Sequence, residues 1–195
     1  MARIDLKKSA GLSLNYDNGS ITSDDFKFER KKDFHIKEIS QQLLNEEVTS
    51  PDYFFTKYYN CDQDNIFKDK GLQINIVVLM PNLAGIEFVK TLTDLNKKSH
   101  RILDVIYGGG ILLQQDFDKI DLGVVYASTM KKGSKALVHA GYDYVMTNTK
   151  STPLIYLEVS LDGSDSINEL DDMRGMSYYV IRKNAKQEVV RNPEY

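Results

Sequence analysis

The sequence predicts a mainly β protein, a sandwich or barrel of short strands. Three observations carry this. From residue 85 onward, short apolar runs are split by turn residues every ten or so positions, the spacing of an all-β domain rather than of alternating βαβ units. Twelve tyrosines stand against no tryptophan, a bias toward residues that fit pleated surfaces. "INIVVLM", within residues 71–81, is apolar on both sides of the pleat, as in a strand covered on both faces.

Taken in order, residues 1–32 read as irregular or extended, with a turn at "NYDNGS", where Asn-Gly favours positive φ. "KDFHIKEISQQLLNEE" then places Ile36, Ile39, Leu43 and Leu44 near helical spacing, with Asp33 as N-cap and Glu38 in the first turns. This helix ends before Ser50-Pro51, since a residue preceding proline disfavours the helical region. Strands are expected at 52–60, 71–81, 85–91, 100–107, 110–115, 123–129, 134–138, 142–148 and 153–161. Residues 162–176 hold at most one helical turn, and 177–190 form a hairpin with Lys183-Asn184-Ala185-Lys186 at its tip. No repeat or linker interrupts the chain. The expectation is one domain over 1–195, with 1–50 as an N-terminal arm plus helix and 51–195 as the barrel.

Composition narrows the function classes. A net charge of −3 gives no footprint for a phosphate backbone, and the basic run "ERKKDFHIK" is interleaved with acids, so nucleic acid is not an expected partner. The single cysteine, Cys61, allows neither an internal disulfide nor a cysteine-based zinc site, and no base stands beside it in sequence. No apolar window reaches membrane-spanning length and "MARIDLKKSAGLSL" lacks a secretory core, so the reading is a cytoplasmic protein with no membrane partner.

The clearest motif is "KGSKALVHAGYDYVMTN". Gly133, Gly141 and Asn148 fall on the glycine and asparagine positions of a second cupin motif, while His139 takes its proline and Tyr144 its histidine. "VVLMPNLAGIEFVKT", "GGGILLQ", "TNTKSTPLIYLEV" and the ending "VVRNPEY" follow in order. Together with "LSLNYDNGSI" they make the chain resemble the metal-dependent, cupin-type glucose-6-phosphate isomerases known mainly from archaea. The resemblance covers residues 11–195 and implies a cupin β-barrel (jelly roll) with an N-terminal arm, one or two short helices, and a homodimer.

It also implies a divalent metal held by a His-x-His pair, a glutamate and the histidine of the second motif. Carried onto this chain, those four positions are Asp94, Asn96, Leu103 and Tyr144. None keeps the family ligand, so no metal or other cofactor is expected. Val77, Thr93, Ser166 and Asn168 likewise replace a threonine, a glycine, a histidine and a tyrosine. A shift at the glycines would bring Asp104 toward the slot instead of Leu103. Tyr144 alternates with Tyr142 and Met146 on one strand face and is expected to point inward, filling the space or touching a small molecule.

Lys90, His100, Asp104 and Glu158 are the possible pocket neighbours. His100 is either a replacement ligand or proton carrier, or simply an exposed histidine at a strand start. "YGGGILL" lacks the Lys-Ser/Thr of a phosphate loop and reads as a tight hairpin. The expected function is a pseudoenzyme: a cupin related to glucose-6-phosphate isomerase that binds a sugar phosphate or other small ligand, or pairs with a partner, without catalysis. One alternative is a divergent isomerase moving a proton through an enediol(ate), with Asp94, Asp104 or Glu158 as base and Lys90 or His100 as electrostatic partner. The other is a purely structural dimer.

Overall fold

The computed structural model of the chain describes residues 4–24, 27–62, 65–95, 99–116, 125–163 and 175–195, without the side chains of Ser9, Asp94 and Leu95. The N-terminal arm forms β1 (Ile4–Asp5), a helical turn α1 (Lys7–Ala10), β2 (Leu14–Asp17) and β3 (Ser20–Ser23). Then follow β4 (Lys27–His35), α2 (Ile36–Ile39), β5 (Tyr53–Asp62), β6 (Leu72–Leu79), β7 (Leu83–Ala84) and β8 (Glu87–Phe88). The barrel continues through β9 (Asp94–Leu95), β10 (Arg101–Tyr107), β11 (Gly109–Asp116), β12 (Val125–Lys131), β13 (Lys135–Val138), β14 (Tyr142–Asn148) and β15 (Leu154–Leu161). The chain ends in the hairpin of β16 (Tyr178–Lys183) and β17 (Lys186–Arg191). Among the described residues, no helix is long and apolar enough to cross a membrane.

Two sheets face each other. The larger runs β13-β10-β15-β6-β5-β4 and the smaller β12-β11-β14-β9. Leu103, Val105, Val77 and Tyr156 of the first meet Leu112, Met130, Tyr144 and Met146 of the second in one core. The outer face of the large sheet is not left to water. Ile74, Ile76, Val78 and Ile155 pack beneath Leu6, Leu14, Tyr16 and Ile21 of the arm, and the Tyr58 hydroxyl accepts the Ile21 N–H at 2.9 Å. This is why β6 reads as apolar on both sides. The smaller sheet is backed in the same way, Ile111, Leu113 and Val145 lying against Met176 and Val180.

The turn chemistry explains the strand ends. Asn18 and Gly19 both take positive φ between β2 and β3, as the Asn-Gly pair requires. Gly110 answers a different demand: a Cβ there would fall on the Thr147 carbonyl oxygen of the neighbouring strand. Asn148 ends β14 as a pin, its amide donating to the carbonyls of Leu79 (3.2 Å) and Thr152 (2.9 Å).

The expected long helix is corrected. Residues through His35 continue as β4 on β5, and only Ile36–Ile39 is α-helical, followed by a 3-10 turn at Ser40–Gln42. Asp33 is therefore no N-cap; it lies within β4 and accepts from the Thr56 hydroxyl at 2.5 Å. His35 takes the cap position, and Glu38 accepts its backbone N–H at 3.0 Å. The periodic apolar residues Ile36, Ile39 and Leu43 are buried in the barrel core as their spacing suggests. Pairing with β5 outweighed the local helical signal. The expected strand over 85–91 shrinks to β8 plus a bridge from Lys90 to Thr147. The helical turn within 162–176 falls mostly outside the described residues.

The C-terminal hairpin turns at Asn184 and Ala185, with φ of 50° and 60°. A left-handed alanine carries a steric cost of roughly 1–2 kcal/mol that glycine escapes, partly offset by glycine's extra chain entropy. Ala185→Gly is expected to raise unfolding free energy by about 0.5 kcal/mol in urea titration, and a loss of stability would contradict this turn geometry.

Candidate functional site

Strand register sorts the inward side chains of the large sheet. Asn75, Glu158 and Leu103 stand abreast on β6, β15 and β10. One step along, Lys57, Val77, Tyr156 and Val105 form the next row. Beyond these, Phe55, Leu79 and Leu154 continue in hydrocarbon, while Gln73, Ser160 and Arg101 lie at the opposite, polar end. In these rows Glu158 is the single carboxylate.

Glu158 is 2% exposed and Lys57 9%. The Lys57 ammonium donates to both carboxylate oxygens, at 3.0 and 3.2 Å. Asn75 donates its amide to Oε1 at 2.9 Å, and the Tyr144 hydroxyl donates to Oε2 at 2.5 Å. Burial alone would push the Glu158 pKa up, but Lys57, then Arg101, with the bonds from Tyr144 and Asn75, draw it down to about 2. Beside this cluster opens a polar cavity of about 720 Å³ lined by Lys57, Asn75, Arg101, Glu158, Arg30 and Tyr59 among others. A smaller space of about 120 Å³ reaches Val77, Tyr144 and Tyr156, and Lys57, Tyr59 and Glu158 line both.

The residues singled out from sequence meet different fates. Tyr144 points inward, its ring in the core and its hydroxyl on Glu158. Leu103 is fully buried directly opposite Glu158. Asp104 faces the other way and pairs with Lys135. The backbone of Asp94 pairs with Tyr144, and Asn96 lies outside the described residues. Lys90 does not line these cavities. It is buried against Glu87, 2.5 Å away, and donates to the Gln42 carbonyl at 2.5 Å. His100 is exposed at the start of β10, where its Nδ1 accepts the Ala140 N–H at 3.1 Å. Cys61 is enclosed, and burial pushes its thiol up to about 12, far from a nucleophile's range. Lys57, Asn75 and Arg101 were not picked out from sequence. Each sits at an inward position of its strand, sharing parity with Phe55, Val77 or Leu103, and that parity was the available signal.

Residues 27–195 match the family described as Glucose-6-phosphate isomerase (GPI). The chain belongs to this family. No curated protein is similar to it in sequence. Among solved structures, a Bacillus subtilis oxalate decarboxylase shares 16% identity at a TM-score of 0.47, over 58% of this chain and 27% of that one. An oxalate oxidase in complex with glycolate shares 13% at 0.42, over 50% and 46%, and hazelnut (Corylus avellana) vicilin 13% at 0.46, over 58% and 31%. This GPI-family chain thus spans less than half the length of those three. Its mostly β architecture is the cupin jelly roll that the resemblance implied.

The metal chemistry implied by the family can be weighed against these side chains. Among the described residues, no group of three His, Cys, Asp or Glu could hold a metal ion. Leu103 offers no donor atom, the Tyr144 hydroxyl donates a hydrogen bond to Glu158, and both Glu158 oxygens accept from the Lys57 ammonium. A divalent ion seeking that carboxylate would meet a cation already there, so these residues do not fit one. The pair is also a stability element. Lys57→Met is expected to cost about 3–5 kcal/mol by stranding a buried carboxylate. Adding Glu158→Gln should recover part of the loss, with a coupling of about 2 kcal/mol in a double-mutant cycle; additivity within about 0.5 kcal/mol would contradict the pairing.

Proposed function

We propose that this GPI-family cupin has lost the metal centre and works without catalysis, as a small-ligand-binding subunit that takes a sugar phosphate or a similar anion. The observation that carries the reading is the state of Glu158. A proton-transferring base works best with a pKa near the working pH. A carboxylate drawn to about 2 and held by Lys57, Asn75 and Tyr144 is far from that condition. Of the other acids and cations considered for catalysis, Asp104 is engaged by Lys135, Lys90 by Glu87, and His100 faces solvent, while the Asp94 side chain lies outside the described residues.

The cavity supports the binding half of the reading. The hydrocarbon end of the barrel is packed, yet the polar end is open and lined by Lys57, Arg101 and Arg30, the carboxylates of Glu29 and Glu158, and the amides of Asn75 and Gln73. A filled structural barrel has no need of such a space, and a recessed polar site with several cations suits a small hydroxylated anion. A coupled assay on purified protein with fructose 6-phosphate, supplemented in turn with manganese, iron, zinc and nickel, is expected to show no turnover above the blank. Calorimetry with the same compound is expected to show saturable binding. Robust turnover would overturn the non-catalytic reading, and absence of binding the sugar-phosphate one.

A further inference from the structure

We propose that Arg30, laid on the ring of Tyr59, is the anion-gripping residue of the large cavity. It would take a phosphate-type group at the mouth. The occupant rests on the ligand-binding reading above; the location does not.

Arg30 and Tyr59 are direct partners across β4 and β5. The guanidinium carbon stands 4.0 Å from the ring centroid, and the Lys57 ammonium is 5.3 Å from the same ring. The neighbouring cations of this region are paired with acids: Lys31 with Asp33 at 3.3 Å, Lys32 with Glu38 at 3.0 Å, Lys57 with Glu158 at 3.0 Å. Among the described residues, Arg30 has an aromatic face instead of a carboxylate. It is exposed and lines the cavity. Glu29, which lines the same cavity, is bonded to the Asn60 amide.

A guanidinium that lies on an aromatic ring uses its flat face for that contact. Its N–H groups lie in the plane and stay directed outward. The fork is held in place before any ligand arrives, so less freedom is lost when an oxyanion bonds to it. Lys57 and Arg101 line the same space, with the carboxylates of Glu158 and Glu29 beside them, so with Arg30 the cations outnumber the acids and an oxyanion is favoured. Deeper in, the lining mixes the neutral groups of Asn75 and Ser160, suited to hydroxyl groups, with the buried charges of Lys57, Arg101 and Glu158.

The test is a titration of the full chain with inorganic phosphate and, separately, with fructose 6-phosphate, followed by amide and arginine side-chain NMR, on wild type, Arg30→Gln and Arg30→Lys. Phosphate is expected to shift Arg30 and Tyr59 signals. Arg30→Gln should weaken both ligands about tenfold to a hundredfold, as loss of a charge-assisted bond does. Arg30→Lys, which keeps the charge without the fork, should fall between, and the melting midpoint of both variants should stay near wild type. Phosphate shifts at Arg30 with no response to fructose 6-phosphate would uphold the anion site and sink the sugar-phosphate reading. Equal binding of either ligand by wild type and Arg30→Gln would overturn the assignment to Arg30 while leaving the cavity reading intact. Silence toward both ligands would overturn both.

Discussion

A carboxylate enclosed in a β-barrel stays ionised only if a counter-charge is enclosed with it, and in this chain Lys57 meets that demand for Glu158. The arrangement around the pair follows from it. Asn75 and Tyr144 take the remaining acceptor capacity of Glu158, which ties β6 and β14 of opposite sheets to β15. Leu103, abreast of Glu158, contributes hydrocarbon where a second ionic group would have needed its own partner. Burying a leucine side chain is worth roughly 1.5–3 kcal/mol, so this position adds to the core what it gives up in chemistry.

The same pair divides the barrel. On one side the rows run through Val77, Tyr156, Leu79 and Leu154 into the packed core shared with α2. On the other they open into the polar cavity with Arg101 and Arg30. The carboxylate and ammonium thus stand at the boundary between what holds the fold and what can meet a ligand. The arm contributes by covering the outer face of the large sheet, which leaves its inner face free to carry polar residues at one end. A separate buried pair, Glu87 with Lys90, serves a different purpose. Glu87 accepts the Leu44 N–H at 2.8 Å and Lys90 reaches the Gln42 carbonyl, so the segment after α2 is fastened to the barrel.

Much of the barrel was legible because it is written in local chemistry. Turn residues mark the ends of β10, β13, β14 and β15, and the alternation of Tyr142, Tyr144 and Met146 gave the inward face of β14. Of the two positions the sequence left open, Leu103 is buried in the barrel and Asp104 pairs with Lys135. The long helix failed for the opposite reason: its residues fit both a helix and the edge of a sheet, and only β5 decides between them. The site was less legible still. Lys57, Asn75, Arg101 and Glu158 come from four strands, and in each strand the residue looks like an ordinary polar alternation. What marks them is a charge or amide at the parity of buried aromatics and aliphatics. Recognising that requires knowing which face is inside.

The most direct measurement is the titration of the Glu158 side-chain carboxyl by carbon-detected NMR on labelled protein. The folded-state pKa lies below the ordinary 4.5, so the ion pair adds stability above that value and loses it as pH falls from 4.5 toward 2. The account predicts a Glu158 signal that stays in its ionised position from pH 7 down to about 3. A midpoint at or above 4.5 would mean that Lys57 does not hold the carboxylate, and the view of a barrel neutralised from within would fall.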